Sequence, residues 1–181
     1  MQLRPDIQIQ TIIKALMEDI IPALDQSNQL AMQSAQLAIG TLSLMAQHLP
    51  LAYRYDCDEL ARLVETAENL KAQSVEGAEG ALAQLESATT DAKDVLDRAK
   101  ADPSELLSAI RALREASGDL VRSVYEAGSE EAIAKTESTI LASSKEQLLR
   151  DRSWLLMQGW EPNPEAVPAI DTLLPVVAQE K

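Results

Sequence analysis

The stretch QSNQLAMQSAQLAIGTLSLMAQHLPLAY, residues 26–53, contains no Asp, Glu, Lys or Arg, although such residues crowd both of its flanks. Its small and apolar residues recur at alternating four and three spacing: Ala31, Ala35, Ala38, Leu42, Met45 and Leu49, widened by Leu30, Met32, Leu37, Ile39 and Leu44. That period is helical. The opposite stripe, Gln29, Gln33, Gln36, Gly40, Ser43 and Gln47, is polar but uncharged. Such side chains lose water at far lower cost than a carboxylate or an ammonium group. The stretch therefore predicts a helix covered on most sides, the centre of an all-α bundle.

Upstream, Pro5 suits a first helical position and Asp6 an N-terminal turn. Ile9, Ile12, Ile13, Leu16, Met17, Ile20, Ile21 and Leu24 keep a helical period until Pro22 and Asp25-Gln-Ser-Asn28 supply a stop. A turn this short makes an antiparallel αα-hairpin, with Ser27 or Asn28 capping the second helix.

Downstream, Pro50 ends the uncharged helix and Leu51–Asp58 reads as an irregular junction. Asp56 and Glu59 have capping-box spacing and predict a helix start. The stripe Leu60, Leu63, Ala67, Leu70, Ser74, Gly77 is followed by a second, Leu82, Leu85, Thr89, Ala92, Leu96, Ala99, displaced by one residue at Gly77 and Gly80. This predicts two helices over about 58–76 and 80–100, or one long helix with a register slip. Asp102-Pro-Ser-Glu105 is a helix start followed by Leu106, Ile110, Leu113, Ser117, Leu120 and Val124 on one face. Gly128 is expected as a left-handed end and Ser129 as the next start. The last long helix reaches towards Met157, with Ile133, Ile140, Leu141, Leu148, Trp154 and Leu155 inward and Gly159 closing it. Pro162, Pro164, Pro168 and Pro175 then limit the tail to a short helix around Glu165–Leu174, where Val167, Ile170, Leu173 and Leu174 are apolar enough to dock. The expected fold is an all-α helical bundle of five to six antiparallel helices, residues 1–161 forming one domain and residues 162–181 a Pro-rich C-terminal tail docking on the bundle or on a partner.

Sixteen Lys and Arg stand against 29 Asp and Glu, a net charge of -13. That surface repels phosphate backbones and anionic lipid, so neither nucleic acid nor a membrane is an expected partner. The opening MQLRPDIQIQ lacks the basic and apolar runs of a secretory signal. Gln, Ser, Thr and His48 interrupt residues 26–53 too often for a membrane span. The single cysteine, Cys57, excludes an internal disulfide, and a cytoplasmic location is expected.

Most chemistry is excluded by inventory. One His and one Cys cannot close a zinc site, and a ferritin-like bundle needs two Glu-x-x-His motifs, so no metal is expected. No phosphate-binding glycine loop is present, no cofactor is expected and no catalytic set emerges. Unlike reactive groups converge only around the junction, where His48, Tyr53, Arg54, Tyr55 and Asp56 are candidates for binding a ligand: Arg54 for an anion, the tyrosines for stacking or hydrogen bonds, His48 for proton exchange. Against this, an interhelical loop ordinarily needs acids and polar tips. Gln29, Gln33, Gln36, Ser43 and Gln47 are candidates for a subunit interface. Trp154 and Trp160, near Arg150 and Arg152, suit an aromatic anchor for the tail.

The N-terminal third, with Ile20-Ile-Pro-Ala-Leu24, a short turn, the Ala-rich Leu30–Leu49 and Cys57-Asp-Glu-Leu-Ala-Arg-Leu63, resembles an uncharacterised family of small bacterial helical proteins encoded beside aminoglycoside-phosphotransferase-like kinases and acyl-CoA dehydrogenases. The resemblance implies an accessory role beside such enzymes and brings no catalytic residues with it. The expected function is a non-catalytic interaction or accessory module that forms a homodimer or binds another protein. The alternatives are a binder of an apolar or acyl ligand, an accessory subunit of an acyl-CoA dehydrogenase or phosphotransferase-like enzyme, and an enzyme working at the junction.

Overall fold

The computed structural model describes residues 4–72, 77–98 and 101–175, and all regular structure among them is helical. The expectations for Ser74 and Ala99, and for the helix ends at 76 and 100, lie outside the described residues. The helices are α1 (Pro5–Ala15), α2 (Ile21–Ala23), α3 (Gln29–His48), α4 (Ala52–Lys71), α5 (Glu79–Asp97), α6 (Pro103–Ala127), α7 (Glu130–Trp154) and α8 (Ile170–Leu173). Among the described residues, no helix is long and apolar enough to cross a membrane. The chain packs as two compact units, Met1–Ala52 with Arg152–Pro168, and Tyr53–Asp151 with Ala169–Lys181.

In the first unit α1 packs on α3. A π-helical turn, Leu16–Ile20, separates α1 from α2. It lies just ahead of Pro22, whose missing N–H and bulky ring disrupt the regular α-helical ladder, and the wider turn absorbs that mismatch. Asp25 Oδ1 accepts from the Ser27 amide at 2.9 Å and the Ser27 hydroxyl at 2.7 Å, closing the turn. The Asn28 side chain then caps α3, accepting from the Ala31 amide at 3.1 Å. No residue of α1 or α3 is buried. This departs from the expectation of a covered central helix: Leu30 is 74% exposed and Leu37 65%. α1 and the turn Leu156–Gln158 shield only part of α3, so its glutamines remain exposed.

The core belongs to the second unit. Leu60, Ala67 and Leu70 of α4, Leu85 and Ala92 of α5, and Leu106, Leu113, Leu120 and Val124 of α6 are buried in one cluster. Each fully buried leucine contributes about 1.5–3 kcal/mol relative to exposure. The α4 and α5 stripes belong to separate helices, joined through Gly77 at φ 86°. A Cβ there would lie 2.9 Å from the Ala127 Cβ, so both the backbone and the close approach require glycine. Lys93 ties α5 to Glu68 of α4 at 2.6 Å. At the start of α6 the Asp102 carboxylate accepts from the Ser104 amide, and the Glu105 carboxylate from the Asp102 amide, as the sequence suggested.

Three local expectations are corrected. The helix expected to start at Asp56 starts at Ala52, because nothing between Leu51 and Asp58 breaks a helix once Pro50 has been passed. Gly128 is not left-handed; its φ is -79°, and its lack of a side chain matters because a Cβ would come within 2.5 Å of the Val124 carbonyl oxygen. Finally, the last long helix ends at Trp154, short of Met157, and Leu141 and Leu148 within it and Leu155 just beyond it are exposed, whereas Thr136 and Ser153 are buried.

Candidate functional site

The first turns of α4 carry Tyr53, Arg54, Tyr55 and Asp56 on a helix rather than a loop. The Tyr55 hydroxyl donates to Asp151 Oδ1 at 2.7 Å and accepts from Gln147 Nε2 at 3.0 Å. Burial, followed by the Asp151 carboxylate, pushes this phenol well above its ordinary pKa. Arg54 donates to the Pro175 carbonyl at 2.6 Å. Tyr53 is exposed, while burial raises the pKa of the Asp56 carboxyl. Tyr55 and Arg54 thus face different partners. His48 belongs to the first unit, where its Nε2 lies 2.7 Å from the Trp154 carbonyl and its ring stacks on Trp154 at 3.8 Å. A carbonyl only accepts, so Nε2 carries the proton.

The α7 residues that face α4 are polar. Asp58 is 6% exposed, and its Oδ2 accepts from Arg62 Nε at 2.9 Å and Arg150 Nε at 2.8 Å. Arg62 Nη1 donates to Gln147 Oε1 at 2.9 Å, and the Thr66 and Ser143 hydroxyls lie 2.9 Å apart. Along these pairs the α4 numbers rise as the α7 numbers fall, so the two helices run in opposite directions. Glu59, 7% exposed, pairs with Arg114 of α6. Burial raises the Glu59 carboxyl, opposed by the Arg114 and then the Arg62 guanidinium. Buried charges must be paired and hydrogen-bonded. All are satisfied here except one atom: Arg62 Nη2 is buried and has no partner.

Arg62 also lines a groove of about 410 Å³ between α4, α6 and α7. Leu63, Val121 and Ile140 form its apolar wall, and Ser117, Ser143 and Ser144 add hydroxyls. Among the described residues, Arg62 and Arg114 are the only charged ones lining it. Gly118, in mid-helix on α6, leaves it open; a Cβ there would meet nothing within 4 Å. The sequence reading singled out none of these for binding. The four-residue spacing of Asp58 and Arg62 was the available signal for an ion pair on one helix face, but the partners on α7 lie 85 to 92 residues away.

Of the glutamine stripe, Gln29, Gln33, Gln36 and Gln47 are exposed and Ser43 is half-buried. Gln33, Gln36 and Gly40 line a second groove, with Met157 and Trp160, within the first unit. Among the described residues, no group of three or more His, Cys, Asp or Glu could hold a metal ion. Comparison with protein-family models, with curated proteins and with solved structures finds no match to this chain.

Proposed function

We propose that this protein is a non-catalytic interaction module that self-associates through α3. The observation that carries the reading is that α3 has no charged and no buried residue, while Leu30, Leu37 and Met45 along it and Leu49 at its end all lie exposed. Exposed apolar side chains grouped along one uncharged helix mark a candidate interaction site. The chain carries a net charge of -13, so most faces of two copies repel each other; α3 is a surface on which they can meet without opposing carboxylates. Gly40 supports the same reading. Glycine inside a helix costs about 0.5–1 kcal/mol relative to alanine, and no atom within 4 Å of a Cβ there requires its absence. A second helix approaching closely does.

In this reading the long helices complete an antiparallel bundle of five to six helices, and the Pro-rich tail docks on it or on the partner. The protein works in the cytoplasm as an accessory to another enzyme, as the resemblance of its N-terminal third implies. Light scattering coupled to size exclusion tests self-association. The wild type is expected to be a dimer at micromolar concentration, and Gln36→Glu, which sets like charges near each other across a twofold axis, is expected to shift it towards monomer. A monomeric wild type ends the proposal.

A further inference from the structure

We propose that the groove between α4, α6 and α7 binds a small organic carboxylate with an apolar body. The carboxylate is held by Arg114 and Arg62, and the body lies against Leu63, Val121 and Ile140. This goes beyond self-association and concerns the other unit of the chain.

Charge is the first argument. In a chain with 29 acidic residues, the only charged groups among the described residues lining this groove are two guanidiniums. Arg114 is the outer anchor: its side chain is 55% exposed and uses Nη2 on Glu59, which leaves further donors for an incoming anion. Arg62 is the inner one. Its Nε is taken by Asp58 and its Nη1 by Gln147, whereas Nη2 is buried and unpartnered. Leaving a charged donor without a partner costs free energy, and a carboxylate oxygen is the acceptor that best matches a guanidinium edge.

Shape is the second argument. A volume of about 410 Å³ is that of a small-molecule pocket. Its lining combines an apolar wall with a few convergent polar groups, the usual make-up of a site that orients an amphiphilic ligand. Gly118 supplies the third. Glycine in the middle of the 25-residue α6 weakens the helix, and nothing packs close enough to demand it. What it does is keep the groove open.

The chemistry selects among ligands. A neutral apolar molecule would leave Arg62 Nη2 buried and unpaired. Inorganic phosphate would satisfy the guanidiniums but gain nothing from the apolar wall. A monocarboxylate with a hydrocarbon chain uses both halves of the groove.

The test is isothermal titration calorimetry on the full chain with three probes: octanoate, octan-1-ol and inorganic phosphate. Octanoate is expected to bind about ten-fold or more tightly than either of the others, the factor expected of a charge-assisted hydrogen bond. Arg114→Gln is expected to weaken octanoate about ten-fold. Gly118→Leu, which fills the groove while replacing a poor helix former in open space, is expected to abolish binding and raise the thermal midpoint. The proposal is overturned if octanoate shows no binding at millimolar concentration, if octanol or phosphate binds as well as octanoate, or if folded Gly118→Leu, checked by circular dichroism, keeps the wild-type affinity.

Discussion

His48, the single histidine of the chain, is stacked on Trp154 and donates to its carbonyl. Burial disfavours the imidazolium and lowers its pKa below 6.5, and the hydrogen bond to the Trp154 carbonyl opposes that shift only in part. The folded state therefore binds fewer protons than the unfolded one between the folded pKa and 6.5. Stability from this group is fully present above pH 6.5 and is lost as the pH falls through the folded value. An NMR titration of this one imidazole is expected to show a midpoint below 6.5, and His48→Gln is expected to flatten the acid-side loss of stability in that window. A midpoint at or above 6.5 contradicts the desolvation argument. Asp58 gives a second expectation at this scale. It is the shared acceptor of Arg62 and Arg150, whose side chains are 12% and 15% exposed. Asp58→Asn leaves two buried cations without their counter-charge, and urea unfolding is expected to show a loss of about 3–5 kcal/mol. A loss under about 1 kcal/mol, the range of an exposed pair, would mean that water reaches this seam.

The glycines separate two reasons for the same residue at the level of the helix. Gly118 sits in α6 with open space around it, so Gly118→Ala is expected to stabilise by about 0.5–1 kcal/mol in thermal unfolding. Gly77 has φ 86° and lies against Ala127, so Gly77→Ala is expected to destabilise by about 1–2 kcal/mol from the backbone conformation alone, before the contact adds to it. The same contrast explains what the sequence could reveal. Local chemistry was legible: the Asp102 and Glu105 box, the Asn28 cap, and the separate stripes of α4 and α5 each depend on residues a few positions apart. The start of α4 was not, because Asp56 and Glu59 imitate a capping box while lying inside a helix that begins at Ala52. The polar seam of α7 was hidden for a different reason. Periodicity points to the apolar side of a helix, but Thr136, Ser143, Gln147 and Arg150 face inward because hydrogen-bonding or charged partners meet them there. The partners of the candidate junction were hidden in the same way, since Tyr55 and Arg54 bond to Asp151 and Pro175, far along the chain.

Across the whole molecule, apolar burial is unevenly divided. The second unit holds the buried cluster of α4, α5 and α6, whereas α1 and α3 contribute no buried residue. Opening free energy follows buried apolar contact, so amides of α3 are expected to exchange with solvent hydrogen faster than those of α6 in dilute protein. Self-association changes that order in a way that packing within one chain cannot. If a second copy covers α3, binding to the folded form stabilises it by mass action, about 2.7 kcal/mol once the free protein exceeds the dissociation constant about 100-fold, which slows exchange about 100-fold. Protection of α3 should then rise with protein concentration while that of α6 stays nearly constant, and Gln36→Glu should remove the rise without touching α6. Hydrogen exchange read by mass spectrometry at about 1 μM and about 100 μM resolves the two helices separately. Slow exchange of α3 that is the same at both concentrations would mean that one chain stabilises this helix alone, and the uncharged, exposed face of residues 26–53 would then need an explanation other than a second copy.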